Sequence, residues 1–183
     1  MSKYYDLNDI LVEDEVVSTV FHHKANGVGY LDPGSEDDNV EKGAVVELPL
    51  WLAQDLSRRK IIQVNLPPCF GAKVRKEVQA DPACVNLRSK CPYFYEMGCK
   101  LADITGDPSL GGFLLSTLRG RYRDILCKAL TSTITFTPKF MTLLTQEETH
   151  LFEAGRDSMR TFQKWRLQGP QLERAPILGR KRR

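Results

Sequence analysis

Short apolar runs separated by turn-forming residues dominate the first third of the chain. The runs are rich in β-branched and aromatic residues, which favour strands, and they lie at residues 16–22, 28–31, 44–48 and 61–65. The stretch between the second and third runs is rich in Asp, Gly and Pro, the residues of turns and loops. Ahead of the fourth run, Leu48, Leu52 and Leu56 recur every four residues and predict a short amphipathic helix. The pattern therefore predicts a small β-rich lobe that contains one helix.

The pattern becomes helical after Pro67 and Pro68. Because neither proline can donate a backbone hydrogen bond, neither continues a regular element, and a domain boundary is predicted there. Beyond it, apolar residues at helical spacing predict helices at residues 71–80, 92–103, 109–130 and 138–167. The predicted fold class is α+β: a small N-terminal β-rich domain (1–67), then a larger all-helical domain (68–167) with long antiparallel helices. Residues 168–183 lose the periodicity and are predicted to be a disordered basic tail.

Apolar stripes run along the two longest predicted helices, and both are predicted to face a core. The first stripe contains Leu114, Leu118, Tyr122, Ile125 and Ala129, widened by Leu115 and Leu126. Arg119, Arg121 and Arg123 are predicted around the polar side of this helix. The second stripe contains Leu144, Leu151, Met159, Phe162 and Trp165.

Charge is distributed unevenly over the chain. Residues 1–47 hold three Lys and eleven Asp or Glu, whereas residues 48–183 hold 23 Lys or Arg and 12 Asp or Glu. A basic half of this kind is typical of nucleic-acid binding or of a surface that complements an acidic protein. Protein partners are the favoured interpretation, and direct contact with DNA stays an open alternative.

The sequence contains no recognisable catalytic or metal-binding pattern. Its five cysteines include no CxxC pair, and its three histidines are not spaced as zinc ligands. No GxSxG, HExxH or Walker sequence occurs. We therefore expect reduced thiols, no metal, no cofactor and no catalytic residue. No run approaches the ~18–20 apolar residues of a membrane helix, and the N-terminus is acidic, so we expect an intracellular protein with no membrane association.

Three segments carry a resemblance to a known family. They are ELPLWLAQDLSRRK followed by a short strand and LPP, then ADPACVNLRSKCPYFYEMGCKLAD, then a helix that holds LRGRYRDI. Together they resemble the GINS family of DNA replication proteins, and within it the partner-of-Sld-five subunits. The first segment is shared with the second of these subunits, whereas ADP followed by the aromatic segment is typical of the third. The likeness runs over roughly residues 4–167.

The resemblance implies a nuclear, non-catalytic scaffold with a β-rich domain ahead of a helical one. Members of the family assemble as a heterotetramer of four GINS subunits. That tetramer joins the MCM hexamer and a RecJ-like factor in the replicative helicase, for initiation and fork progression, and it helps couple the helicase to DNA polymerase epsilon. The alternative that the residues leave open is a stand-alone nucleic-acid-binding module that uses the basic helical half.

A long C-terminal helix is the predicted source of partner surface. A helix over 138–167 would be about 45 Å long at ~1.5 Å per residue, which exceeds the dimensions of a domain of ~100 residues. Its outer turns would expose apolar side chains unless another chain covers them. The candidate interface residues are Phe152, Met159, Phe162, Trp165, Tyr93 and Phe94. The candidate nuclear-import sequence in the tail is Arg180, Lys181, Arg182 and Arg183.

Overall fold

The computed structural model describes residues 5–32, 38–131 and 138–168. In this part of the chain the helices are α1 (Leu7–Glu13), α2 (Leu50–Arg58), α3 (Ala72–Ala80), α4 (Phe94–Thr105), α5 (Pro108–Thr131), α6 (Pro138–Met141) and α7 (Gln146–Gln168). The strands are β1 (Val16–Phe21), β2 (Ala25–Asn26), β3 (Asn39–Val40), β4 (Val45–Pro49) and β5 (Ile62–Val64), with 3-10 turns at Gly29–Leu31 and Pro68–Phe70. A small N-terminal β region and a larger helical part confirm the predicted α+β class. Apart from Gln168, the predicted tail lies outside the described residues.

β1 is the central strand of a three-stranded antiparallel sheet, with β4 and β5 on its two sides. Val17, Thr19 and Phe21 alternate with more exposed residues and point into the core. The strands predicted at 16–22, 44–48 and 61–65 are thus confirmed. The strand predicted at 28–31 is wrong, because these residues form the first 3-10 turn. Gly29 offers no side chain to pack on a neighbouring strand, and Tyr30 is exposed.

Helix α1 is an element that the sequence pattern did not predict. Asp6 begins it by accepting a hydrogen bond from the Asn8 N–H at 3.1 Å, which is an N-cap. Val12 is fully buried, so the helix is held by the core. The Asp before Leu7 was the available signal, but seven residues give a helical period too little length to be recognised.

Helices α4 and α5 form an antiparallel hairpin. Gly106 ends α4 in the left-handed conformation, with φ of 65°, which glycine adopts without a side-chain clash. Gly98 allows the two helices to approach closely, since a Cβ at this position would lie 2.8 Å from both methyl groups of Leu114. The close approach at Gly98 packs α4 directly against α5.

The prediction of one helix over 138–167 is wrong. The chain forms α6, leaves the helical conformation for residues 142–145, and begins α7 at Gln146. Thr145 and Glu148 form a capping box: the Glu148 N–H donates to Thr145 Oγ1 at 3.3 Å, and Glu148 Oε2 accepts from the Thr145 N–H at 3.2 Å. The 23 residues of α7 span about 34 Å at ~1.5 Å per residue.

Helices α5 and α7 run in the same direction, unlike the predicted antiparallel long helices. Arg121 of α5 contacts Glu148 of α7, and further along both helices Ala129 approaches Gly155. Phe140 of α6 lies against Lys128 of α5, so between α6 and the start of α7 the chain moves back along α5. α7 therefore starts beside the middle of α5 and extends past its C-terminal end.

One hydrophobic core crosses the predicted boundary at Pro67. It includes Val12 and Val17 of the N-terminal part together with Phe94 and Leu110 of the helical part. A smaller cluster joins α5 to α7 and contains Ile125, Ala129, Leu144 and Phe152. The β region and the helices thus share a core rather than each having its own. Among the described residues, no helix combines the length and the apolar character needed to cross a bilayer.

Candidate partner-binding surface

Arg121 fixes α5 against α7 through a buried network. Its Nε donates to Glu148 Oε1 at 2.6 Å and its Nη2 donates to Glu148 Oε2 at 2.9 Å, which makes a bidentate pair. Nη1 donates to the carbonyls of Pro82 and Val85 at 2.6 and 2.9 Å, and Nη2 donates to the Leu143 carbonyl at 3.3 Å. All five N–H groups of the guanidinium therefore have acceptors.

Glu148 is satisfied in the same way. Its Oε1 also accepts a hydrogen bond from the Tyr95 hydroxyl at 2.7 Å. Burial and the negative charge of Glu148 raise the pKa of Tyr95, so the hydroxyl keeps the proton that it donates. Arg121 is 2% exposed and Glu148 is 1% exposed. The network ties α4, α5 and α7 together inside the protein and offers no charge to a partner.

The buried position of Arg121 corrects the prediction that placed it on the polar side of the helix. Residue 121 follows Thr117 and precedes Ile125 by four positions each, so all three lie on the buried face. Tyr122, which was assigned to the core stripe, is about half exposed. The helical period was read correctly, but the charge of Arg121 led to the wrong face.

Helix α5 carries apolar side chains on a second face as well. Leu115, Tyr122 and Leu130 are each about half exposed, and we call these three residues the α5 stripe. They lie at intervals of seven and eight residues, which places them along one side of the helix. Leu126 lies between Tyr122 and Leu130 in the sequence; it is partly buried and lies close to Gly155 of α7. The α5 stripe therefore runs beside the line along which α5 meets α7.

Helix α7 exposes large apolar side chains beyond its contact with α5. After Gly155 the helix passes the end of α5, and Phe162 and Trp165 are 48% and 60% exposed. Their rings contact each other with centroids 5.8 Å apart. Met159, on the same segment, is partly buried, and Leu167 is largely exposed. We call Met159, Phe162, Trp165 and Leu167 the α7 end.

Positive charges outnumber negative ones beside both apolar surfaces. Arg119 and Arg123 are exposed on α5, and Arg160 and Lys164 are exposed on the α7 end. A complementary partner surface would combine apolar side chains with acidic ones. Apolar side chains next to charged ones are typical of protein-binding surfaces, and the buried ion pair keeps the two long helices in a fixed relation.

Two family models cover most of the chain. Residues 5–58 match the PSF3 N-terminal domain, and residues 69–167 match the GINS complex protein helical bundle domain. The second match alone covers more than half of the 183 residues. The chain belongs to the PSF3 family of GINS complex proteins.

Curated members of the PSF3 family align along most of the chain. The "Probable DNA replication complex GINS protein PSF3" of Dictyostelium discoideum is 32% identical over 162 residues, which are 88% of this chain and 61% of that protein. The "DNA replication complex GINS protein PSF3" of Xenopus laevis is 30% identical over 166 residues, covering 88% of this chain and 79% of the relative. The Homo sapiens protein of the same name is 33% identical over 171 residues, with the same two coverages. The chain thus spans about three fifths of the Dictyostelium relative.

The structure of this PSF3-family chain separates the six candidate interface residues into two groups. Tyr93, Phe94 and Phe152 are buried, the first two in the main core and Phe152 in the cluster between α5 and α7. Phe162 and Trp165 are exposed, and Met159 is partly exposed beside them. Arg180, Lys181, Arg182 and Arg183 lie outside the described residues.

The α5 stripe is the part of the surface that sequence reasoning missed. Leu115 and Tyr122 were assigned to the core and Leu130 was not singled out. The available signal was the width of the apolar pattern in residues 109–130, which is broader than one buried face requires.

The structure describes all five cysteines, and none of them forms a disulfide; Cys69 and Cys91 are buried. Within the described residues no group of three or more His, Cys, Asp or Glu is placed to hold a metal ion.

Proposed function

We propose that the chain is a non-catalytic structural subunit of a heterotetrameric GINS complex that acts in DNA replication. Its family membership supports this proposal, because the relatives carry the name of DNA replication complex GINS proteins. Its partners would be three other GINS subunits. Its two long helices would serve as the elements that the other subunits pack against.

The observation that carries the proposal is the apolar surface that the two long helices leave uncovered. The α5 stripe and the α7 end present six large apolar side chains and the partly buried Met159 beside them. Fully burying an exposed Leu or Phe side chain contributes about 1.5–3 kcal/mol, so covering one that is half exposed contributes about half as much. Exposed apolar patches on this scale are typical of protein–protein interfaces. Positive side chains around them indicate that the covering surface is acidic.

The family resemblance extends the proposal to the larger assembly. In this proposed assembly, the GINS tetramer joins the MCM hexamer and a RecJ-like factor in the replicative helicase and is linked indirectly to DNA polymerase epsilon. The proposed location is the nucleus, with residues Arg180 to Arg183 as a basic import sequence. A reporter fused to residues 168–183 tests that role, and a reporter that stays cytoplasmic contradicts it.

The nucleic-acid alternative loses two of its supports. The three arginines of α5 were its main candidates, but Arg121 has all its donors occupied inside the protein. Tyr93 and Phe94, which could have stacked on bases, are buried. Arg119 and Arg123 remain at the surface, on a helix that also exposes apolar side chains, a combination that fits a protein partner better.

Co-expression with three candidate GINS subunits tests the proposal. The double variant Phe162→Ser/Trp165→Ser and the single variant Tyr122→Ser should each reduce recovery of a four-chain complex by about threefold or more, since each half-exposed side chain loses about half of the ~1.5–3 kcal/mol of full burial. Tyr30→Ser is the matched control, because Tyr30 is an exposed aromatic residue of the β region. Size-exclusion chromatography with mass analysis gives the composition. Recovery of the complete complex with both surface variants at the control level would refute the assignment of these surfaces.

A further inference from the structure

Helix α1 is attached to the protein through one side. Val12 is buried in the core, and Lys100 of α4 contacts two α1 carboxylates, Asp9 at 2.6 Å and Glu13 at 2.8 Å. Asp9 and Glu13 are four residues apart and therefore lie on the same side of the helix. These contacts set which side of α1 faces outward.

The outward side of α1 is apolar. Leu7, Ile10 and Leu11 are 67%, 50% and 42% exposed, and we call them the α1 face. Their spacing of three and four residues places them together on the helix surface. A seven-residue helix with three exposed aliphatic side chains is unusual on a surface that meets only water.

Negative charge surrounds the α1 face. Residues 5–15 contain five Asp or Glu and no Lys or Arg. At the start of α4, Glu147 of α7 is a further carboxylate close to Glu96, and its Oε1 accepts the N–H groups of Tyr95 and Glu96 at 3.0 Å each. Its Oε2 is buried and has no hydrogen-bond partner among the described residues. Lys100 contacts two of the carboxylates but contributes only one positive charge, so the surroundings keep a net negative charge.

The electrostatics of Glu96 agree with this excess. Burial, then the negative charges of Glu147, Asp9 and Asp6, raise the pKa of the Glu96 carboxyl above its ordinary value. A positive charge brought to this place would be stabilised by several carboxylates at once.

We propose that the α1 face binds an amphipathic segment of a partner protein that carries Lys or Arg beside aliphatic side chains. The exposed Leu and Ile side chains would provide the apolar contact, and the carboxylates around them would select and orient the basic residues. DNA and anionic lipid are poor occupants, because their negative charge would be repelled. The surroundings of the α1 face are acidic, whereas those of the α5 stripe and the α7 end are basic, so the two kinds of surface would select different partners.

Binding of designed peptides to the full-length chain, alone or in its complex, tests the proposal. The probe is a fluorescent helical peptide of about 18 residues, or five turns, with Leu on one face and Lys on the other. The comparison peptide has Glu in place of every Lys, and a scrambled Lys–Leu peptide has no apolar face. Fluorescence anisotropy at two salt concentrations measures each affinity.

Two sets of variants separate the apolar and charged contributions. Leu7→Ser/Ile10→Ser removes apolar area, and Asp14→Asn/Glu96→Gln removes negative charge without altering the contacts of Lys100. Each should weaken binding of the Lys–Leu peptide about tenfold. Val45→Ser/Leu66→Ser is the matched control, because both are exposed aliphatic residues outside the α1 face, the α5 stripe and the α7 end, and it should leave the affinity unchanged. Circular dichroism checks whether each variant is folded. If Leu7→Ser/Ile10→Ser does not fold, the charge variant still tests the proposal.

The expected result is that the Lys–Leu peptide binds at least about tenfold more tightly than the Glu–Leu and scrambled peptides, with an affinity that falls as salt increases. Equal affinity for the Lys–Leu and Glu–Leu peptides would overturn the proposal, and so would unchanged binding by both sets of α1 variants. Tighter binding of duplex DNA or of phosphatidylserine vesicles, lost in the α1 variants, would assign the face to another class of ligand. A concentration-dependent dimer that Leu7→Ser/Ile10→Ser abolishes would assign it to a second copy of this chain.

Discussion

Replacing Arg121 by Met should destabilise the protein by about 3–5 kcal/mol, the cost of removing one partner of a buried ion pair. Methionine fills most of the space, but its side chain cannot donate a hydrogen bond. The Glu148 carboxylate would stay buried with the Tyr95 hydroxyl and the Thr145 N–H as its remaining donors. Three backbone carbonyls would lose their donor as well. The largest contribution is the uncompensated charge of Glu148.

The expected loss is a large part of a typical stability of about 5–15 kcal/mol. The double variant Arg121→Met/Glu148→Leu removes the charge together with its partner. It should therefore be more stable than Arg121→Met alone, because no buried carboxylate is left without a cation. This reversal distinguishes an electrostatic origin from a loss of side-chain volume, which would make the double variant less stable.

Urea denaturation of the full-length chain, followed by far-UV circular dichroism, measures these free energies of unfolding. Arg123→Met is the matched control, since Arg123 lies on the same helix and is exposed. Its effect should stay within about 0.5 kcal/mol. The reasoning is refuted if Arg121→Met is as stable as Arg123→Met, or if the double variant loses as much as the two single variants combined.

Three further predictions concern α4 and its neighbours. Burial and the charge of Glu147 raise the pKa of Glu96, so the ionised form of Glu96 destabilises the fold above the folded-state pKa. Glu96→Gln should therefore raise the melting temperature at neutral pH. This gain should vanish at about pH 3, where the Glu96 carboxyl and the glutamine amide that replaces it are both neutral. An equal gain at both pH values contradicts the electrostatic cause. Glu147→Ala removes the acceptor for two N–H groups at the start of α4, so the free energy of unfolding measured in urea should fall by about 0.5–2 kcal/mol. Glu147→Gln keeps an acceptor oxygen and should retain most of this stability. Gly98→Ala should destabilise by about 1–3 kcal/mol because its Cβ would meet Leu114, whereas Gly112→Ala, with open space around it, should stabilise by about 0.5–1 kcal/mol. Stabilisation by both would show that α4 and α5 are not closely packed at Gly98.

Local periodicity was sufficient for the elements with a long or regular pattern. The alternation around Val17 and the four-residue spacing from Leu48 to Leu56 led to a strand and a helix that the structure contains. Capping signals were present for α1, which was not predicted, and for α7, which was predicted as part of a longer helix. Asp6 begins α1, and the Thr145-x-x-Glu148 capping box begins α7 within what looked like one continuous helix. The motifs of residues 47–125 were enough to indicate the family.

The choice between core and surface was made by tertiary structure. Phe152 and Phe162 are the same kind of residue on the same helix, but Phe152 faces α5 and Phe162 lies beyond the end of α5. The sequence determined which residues share a face, because that depends on the helical repeat alone. Which face is covered depends on where a helix 20 or more residues away begins and in which direction it runs.

The burial of Arg121 was likewise decided by tertiary structure and not by the sequence pattern. Its position four residues after Thr117 and four before Ile125 placed it on the buried face, while its charge argued for the surface. The acceptors that allow burial, Glu148 and the carbonyls of Pro82 and Val85, are 27 to 39 residues away in the chain. A buried charge is stable only when such partners converge on it. That convergence is a property of the folded chain, and no local pattern in the sequence records it.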